Sequence, residues 1–319
     1  MALFAVTNRL PEQGLELLRE AGELRLADAD TRLPREELLA LVAGADAVLS
    51  MLHDRVDEEL LDAAGPQLRC VANVAVGFDN IDLGAAASRG VLVTNTPGVL
   101  DDATADLTLA LLLAAVRRIG EGERLIRSGE PWAWGMGFML GSDLRGKRLG
   151  IVGLGNIGLR VAHRARAFGM SIAYHGRHEA PAGVVAGLEA ERLEFEELLE
   201  SSDVLSLHCP LTPQTRHLIG ARELALMKPT ATLINTARGP VVDEAALAAA
   251  LREGTIAGAG LDVYEHEPEV EPGLLGLENV VLSPHLGSAT VETRAVMSQL
   301  AARNAIAAVR GEALPTAVG

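Results

Sequence analysis

Gly153-Leu154-Gly155-Asn156-Ile157-Gly158, set directly behind the apolar run Leu149-Gly150-Ile151-Val152, is the stretch on which the fold turns. An apolar run of that length reads as a buried strand, and the residues after it read as the start of a helix. Glycines at this spacing let a strand turn tightly into a helix whose amino end faces a dinucleotide pyrophosphate. Gly153 and Gly155 are assigned to the turn and the close phosphate approach, and Gly158 to close packing of helix on strand. An ordinary tight turn is the plainer alternative, and what surrounds the motif has to decide. The motif starts 152 residues into a chain of 319, so a long leading segment needs a job of its own.

Working outward, strand-like runs recur on both sides. Downstream they are Ser171 to Tyr174, Val204 to Leu207, Thr232 to Asn235, Ala257 to Leu261 and Val280 to Leu282, separated by helix-length segments. Upstream, Leu3 to Thr7, Ala47 to Ser50, Cys70 to Ala72 and Val91 to Thr94 alternate with helix-like Glu12 to Ala21 and Glu58 to Ala64. Such alternation predicts α/β architecture with two doubly wound parallel sheets, a flavodoxin-like domain and a Rossmann domain, packed around a cleft. One long helix is expected over Ala103 to Ile126, entered after Pro97-Gly98, and an amphipathic helix over Thr290 to Val309 is expected to return to the first domain. The predicted domains are 1–98 completed by 287–319, and 99–286.

Composition narrows the function classes. Lys and Arg number 28 against 43 Asp and Glu, a net charge of −15, which argues against nucleic acid or an anionic membrane as partner. With two cysteines, Cys70 and Cys209, neither a disulfide framework nor a zinc cluster is expected, and no metal site is assigned. The apolar run Leu107 to Val116 ends at Arg117-Arg118, short of the roughly 18 residues a membrane span requires. The amino terminus has no basic region ahead of its apolar run, so a cytoplasmic protein is expected.

Several polar residues follow predicted strands directly, where open α/β sheets place ligands. Arg238, in Asn235-Thr236-Ala237-Arg238-Gly239-Pro240, offers a guanidinium suited to bidentate binding of a carboxylate. His285, in Ser283-Pro284-His285-Leu286-Gly287, is of the residue type that donates protons near neutrality. An acid from Tyr264-Glu265-His266-Glu267-Pro268-Glu269 would orient it and favour its protonated form, and spacing leaves Glu265, Glu267 and Glu269 as candidates. Asp262 either accepts a hydrogen bond from a nicotinamide carboxamide or caps a turn. The backbone near Val76 and Gly77, in Asn73-Val74-Ala75-Val76-Gly77-Phe78-Asp79, either forms an anion pocket or is a plain loop.

Taken together these motifs resemble the D-isomer-specific 2-hydroxyacid dehydrogenases over nearly the whole chain, with Thr96-Pro97-Gly98-Val99 and Asp102-Ala103-Thr104-Ala105-Asp106 adding to the likeness. Within that family, Trp132 to Leu140 and Pro284 to Thr290 are most similar to glyoxylate and hydroxypyruvate reductases. The resemblance implies Arg238 as substrate binder, Glu267 as histidine partner and His285 as acid/base. It also implies Gly153, Gly155, Asn156, Ile157, Gly158, Gly176, Arg177, His178, Cys209, Pro210, Thr236, Asp262 and Gly287 at the cofactor. Leu52, Val76, Gly77 and Trp134 are implied at the substrate, together with a homodimer joined through the segment Ala103 to Ile126. The expected reaction is hydride transfer from a nicotinamide cofactor to glyoxylate or hydroxypyruvate. Phosphoglycerate dehydrogenase is the rival within the family, and a dinucleotide-sensing corepressor-like scaffold the rival outside it. Because the chain ends about where its last helix does, added regulatory or protein-binding segments are not expected.

Cofactor choice has its own signal. No Asp or Glu occurs from Gly153 through His178, although an NAD site usually carries one about 20 residues past the fingerprint. At the end of the second strand stand Gly176-Arg177-His178 instead, suited to a 2′-phosphate. The expectation is NADP in preference to NAD, with a site tolerant of either as the alternative.

Overall fold

All strand pairings of the two sheets are parallel in the computed structural model, which describes residues 1–318. The chain divides into two units: Met1–Leu100 together with the segment from Ser288 onward, and Asp101–Gly287.

In the first unit the strands are β1 (Leu3–Val6), β2 (Glu23–Leu26), β3 (Ala47–Ser50), β4 (Cys70–Asn73) and β5 (Leu92–Thr94), ordered β2-β1-β3-β4-β5. This is the flavodoxin-like order. Central β3 and β4 are buried along their whole length, as a parallel sheet covered on both faces requires. Val48, Val71, Leu38, Leu60 and Leu61 form one side of the core. Helix Glu12–Ala21 packs against the final helix Val291–Arg310 at Gly14, where a Cβ would stand 2.6 Å from the Ser298 carbonyl oxygen. The carboxyl-terminal helix therefore belongs to the core of this unit.

The second unit holds β6 (Arg148–Val152), β7 (Ser171–His175), β8 (Glu191–Arg192), β9 (Val204–Leu207), β10 (Thr232–Asn235), β11 (Gly258–Leu261) and β12 (Val280–Leu282). Their order, β12-β11-β10-β9-β6-β7-β8, reverses direction between β6 and β9, the switch point where doubly wound sheets bind dinucleotides. Two apolar clusters line its faces, one built around Leu205, Leu233 and Leu247, the other around Leu112, Ile151 and Val161. Helix Asp101–Val116 lies on β10 and β11, close enough that a Cβ on Gly260 would meet Leu111 Cβ at 3.1 Å.

Two features differ from the sequence expectation. Edge strand β2 alternates charged residues with leucines and edge strand β8 is two charged residues, so no apolar run marks either. The helix expected over Ala103 to Ile126 is two helices, Asp101–Val116 and Ile119–Ser128, broken where Arg118 takes a left-handed φ of 54°. The reason is tertiary: the Ser142 amide donates to the Val116 carbonyl at 2.8 Å, the acceptor a continuing helix would offer to Gly120. Gly141 permits that approach, since a Cβ there would stand 2.4 Å from the same oxygen.

Candidate active site

The glycine motif links the end of β6 to helix Asn156–Ala167. Gly153 has φ +93°, and its amide donates to the His175 carbonyl at 2.9 Å. A Cβ on it would press on the His208 carbonyl and the Cys209 amide, both at 2.9 Å, so the loop is seated on the turn after β9 that carries Cys209 and Pro210. Gly158 is buried, with the Gly153 carbonyl oxygen 2.5 Å from where a Cβ would lie. Gly155 differs. It is exposed, and a Cβ there would meet nothing within 4 Å. Nothing in the protein's own packing requires glycine at that position, and the open space at a helix amino end suits a pyrophosphate pressed against backbone. Asn156 is exposed and Ile157 half-buried beside it. The residues present therefore fit a dinucleotide. At the end of β7, Gly176 is half-buried while Arg177 and His178 are exposed.

His285 and Glu267 are brought together: His285 Nδ1 and Glu267 Oε2 lie 2.8 Å apart. The other oxygen of Glu267 accepts from the Tyr264 amide at 3.0 Å. Burial pushes this carboxyl up, but the hydrogen bond and charge of His285, the Tyr264 amide and the charge of Arg238 together hold it below the ordinary glutamate range. Glu265 is engaged elsewhere, 2.6 Å from His217 Nε2.

Each member of this group is held by its own strand end. Asn235, buried at the end of β10, accepts from the Ala237 amide at 3.0 Å and donates to the Arg238 carbonyl at 2.9 Å, fixing the loop that presents Arg238. Gly239 lies flat against the neighbouring loop, since a Cβ there would fall 1.9 Å from the Tyr264 carbonyl. His285 has a left-handed φ of 53°, and its amide donates to the Asp262 carbonyl at 2.8 Å. Such a conformation costs a non-glycine residue about 1–3 kcal/mol and persists where surrounding contacts enforce it. Asp262 supplies those contacts. Its carboxylate accepts from the amides of Leu286 at 2.7 Å and Gly287 at 2.8 Å, and from the Ser283 hydroxyl. Both of its oxygens thus serve the turn that carries His285. Burial leads in raising the Asp262 pKa, with these donors opposing.

The remaining expected residues fall as follows. Gly287 is buried and its carbonyl accepts from the Thr104 hydroxyl at 3.1 Å, while the hydroxyls of Thr236 and Thr108 lie 2.9 Å apart. Cys209 is buried, which pushes its thiol up to about 11. Trp134 is 78 % exposed on the segment after helix Ile119–Ser128, where Trp132 stacks on Phe138. Leu52, Val76 and Gly77 belong to the first unit. There Asn73 donates to the Gly77 carbonyl at 2.8 Å and Asn80 to the carbonyls of Met51 and Asp54, at 3.1 and 3.0 Å, so a pair of asparagines shapes both loops.

Two residues escaped the sequence reading. Arg192 on β8 lies beside Tyr174 in register and donates to the Gly176 carbonyl at 3.1 Å. Glu244, at the start of helix Glu244–Glu253, is buried and bonded to the loop that carries Glu267. Neither stands in a glycine motif, and both meet the site only through strand order and loop return.

Comparison with known proteins bears on the same residues. Residues 109–287 match the D-isomer specific 2-hydroxyacid dehydrogenase, NAD binding domain. The chain is 50% identical to a glyoxylate reductase of Thermococcus litoralis, over 98% of this chain and 95% of that one. Among solved structures it resembles a glyoxylate reductase from Paecilomyes thermophila, with TM-score 0.88 and 37% identity over 99% of this chain and 98% of that one. It also resembles an NADPH-dependent glyoxylate/hydroxypyruvate reductase from Sinorhizobium meliloti in complex with NADP and malonate, with TM-score 0.87 and 37% identity over 100% of this chain and 97% of that one.

Proposed function

The chain belongs to the D-isomer specific 2-hydroxyacid dehydrogenase family, and on that footing we propose that it reduces glyoxylate and hydroxypyruvate to glycolate and D-glycerate. The observation that carries the reading is the His285–Glu267 pair at 2.8 Å, with the charge of Arg238 acting on the same carboxylate. A nicotinamide dinucleotide, when bound, supplies the hydride. The protein's own residues supply the rest. Arg238 binds the carboxylate of the keto acid and orients its carbonyl. With Nδ1 donating to Glu267, His285 has Nε2 left to give a proton to the carbonyl oxygen as that oxygen gains negative charge. Glu267 stabilises the imidazolium before transfer and holds the ring in place. One hydride on carbon and one proton on oxygen complete the hydroxy acid. In the first unit, Leu52, Val76 and Gly77 are assigned to the same substrate, on loops that Asn73 and Asn80 hold.

Exposed Arg177 and His178, with no acid between Gly153 and His178, support a preference for NADP over NAD. Gly153, Gly155, Asn156, Ile157 and Gly158 would take the pyrophosphate, and Cys209, Pro210, Thr236, Asp262 and Gly287 the nicotinamide half. Trp132, Trp134, Met136 and Leu140 are 54, 78, 82 and 66 % exposed, and an apolar stretch this open supports a homodimer. Trp134 reaching the partner's substrate is part of that reading. Both cysteines are free thiols, in keeping with the cytoplasm.

Steady-state turnover of glyoxylate and hydroxypyruvate, followed at the nicotinamide absorbance with each cofactor, tests the assignment. His285→Ala should lower kcat by about 100- to 10,000-fold while dinucleotide affinity is kept. A wild-type protein inert on both acids, or a His285→Ala protein with full turnover, would overturn it.

A further inference from the structure

We propose that Glu244 is a positioning residue for the reaction, holding the loop that presents Glu267 to His285; this rests on the reductase reading above. Glu244 is only 5% exposed, and its nearby charges are the like-charged carboxylates of Glu265 and Glu271. Burial raises its pKa first, and those two neighbours add to the effect. A carboxylate in such a place needs strong donors to remain there. It finds one in the backbone, where the Glu265 N–H donates to its carboxylate at 2.7 Å. That amide opens the segment His266-Glu267-Pro268-Glu269-Val270.

The segment is otherwise a small closed turn, with the Glu269 amide donating to the His266 carbonyl at 2.9 Å. Tied at its start to the Glu244 carboxylate, it has a fixed base from which Glu267 reaches His285. The tether is anchored at a telling place. Glu244 follows the short turn Gly239–Val241 that leaves Arg238, so one stretch of chain carries the substrate-binding guanidinium and the carboxylate gripping the Glu267 loop. One direct contact and one bridge through His217 also join these parts of the chain. Gly239 lies against the Tyr264 carbonyl, His217 N–H donates to the Pro240 carbonyl at 2.8 Å, and the His217 ring meets Glu265. In this role Glu244 contacts neither substrate nor cofactor. It acts by keeping Arg238 and Glu267 at one fixed separation.

Glu244→Ala removes the acceptor of the Glu265 amide, while Glu244→Gln keeps the size and one acceptor oxygen. In the full-length protein, Glu244→Ala should lower kcat on glyoxylate by about 10- to 100-fold, the effect expected of misplacement on the order of 1 Å, with dinucleotide affinity unchanged. Glu244→Gln should recover part of that loss. The pH profile of kcat/KM for Glu244→Ala should move toward that of Glu267→Gln. An independent readout needs no substrate: the downfield proton resonance of the His285 Nδ1–H bonded to Glu267 should weaken in Glu244→Ala as it does in Glu267→Gln. A folded Glu244→Ala with wild-type kcat, pH profile and resonance would overturn the proposal, as would activity loss with an unmoved profile and resonance. If Glu244→Ala does not fold, Glu244→Gln decides on the same measurements. Absence of turnover in the wild type, with the resonance behaving as stated, would refute the reductase reading and leave the tether standing.

Discussion

Gly155 and Gly158 stand three residues apart in one motif, yet the structure assigns them opposite sensitivities. At Gly155 the backbone is extended, with φ −83° and ψ −163°, and a methyl group would meet open space. Alanine adopts that conformation, so Gly155→Ala should leave stability unchanged or raise it by about 0.4–1 kcal/mol through the unfolded chain. The added methyl stands where the pyrophosphate must approach, and overpacking of about 1–3 kcal/mol corresponds to roughly a 5- to 150-fold weaker dinucleotide Kd. At Gly158 a helix interior would ordinarily gain from alanine. Here the Gly153 carbonyl oxygen would lie 2.5 Å away and Ile151 Cγ2 3.2 Å away, and the first of these is backbone, which yields poorly. Gly158→Ala should therefore destabilise by about 1–3 kcal/mol, roughly 2–10 °C in Tm for a unit of this size. Thermal unfolding without ligand and equilibrium titration with NADPH and NADH separate the two effects. Equal Tm losses in both variants, or an unaltered Kd in Gly155→Ala, would refute the idea that one glycine serves the ligand and the other the fold.

Replacing Arg177 with Ala should raise KM for NADPH by about 10- to 100-fold, the worth of a charge-assisted contact of about 1.5–3 kcal/mol, and leave KM for NADH nearly unchanged; equal effects on both would exclude a phosphate contact. Arg192→Ala, which releases the Gly176 carbonyl, should give a weaker form of the same selectivity change in the same assay. Asp57 caps helix Glu58–Ala64 by accepting from the Leu60 amide; burial raises its pKa, but that amide and Arg35 outweigh it and the net shift is downward. Because the folded value is depressed, the stabilisation is present above the unfolded carboxylate range and is lost as pH falls through the folded value. Asp57→Ala should cost about 0.5–2 kcal/mol at neutral pH, and chemical unfolding curves of the two proteins should converge as the pH falls below the ordinary aspartate range; a constant gap would exclude the capping carboxylate as its source.

What could be read from the chain alone follows from how local the physics is. Strands β9, β10 and β12 are short apolar runs bounded by turn residues, and their ends were legible to the residue. Arg238 and His285 stood out because each directly follows such a run. The break at Arg118 was not legible, because Val116 loses its helical acceptor role to Ser142, 26 residues further on. Glu244 stands in the first turn of a helix, with nothing local to single it out, and only the return of the chain at Glu265 makes it a buried acceptor. The carboxylate oriented on His285 could not be chosen by spacing among Glu265, Glu267 and Glu269; geometry brings Glu267 to His285 and Glu265 to His217.

The closing of helix Val291–Arg310 onto helix Glu12–Ala21 has a consequence for biosynthesis. Ser298 donates to the Pro11 carbonyl across 287 residues of chain, so the first unit lacks one of its walls until the second has been made. At about 5–20 residues per second, the ribosome leaves the nascent first hundred residues waiting on the order of 10–40 s with the Gly14 face of helix Glu12–Ala21 without that cover. Those seconds are the interval in which a nascent-chain chaperone would have most to hold, and a circular permutant that begins at Ser288 and joins the old ends would abolish the wait without changing a single packed residue.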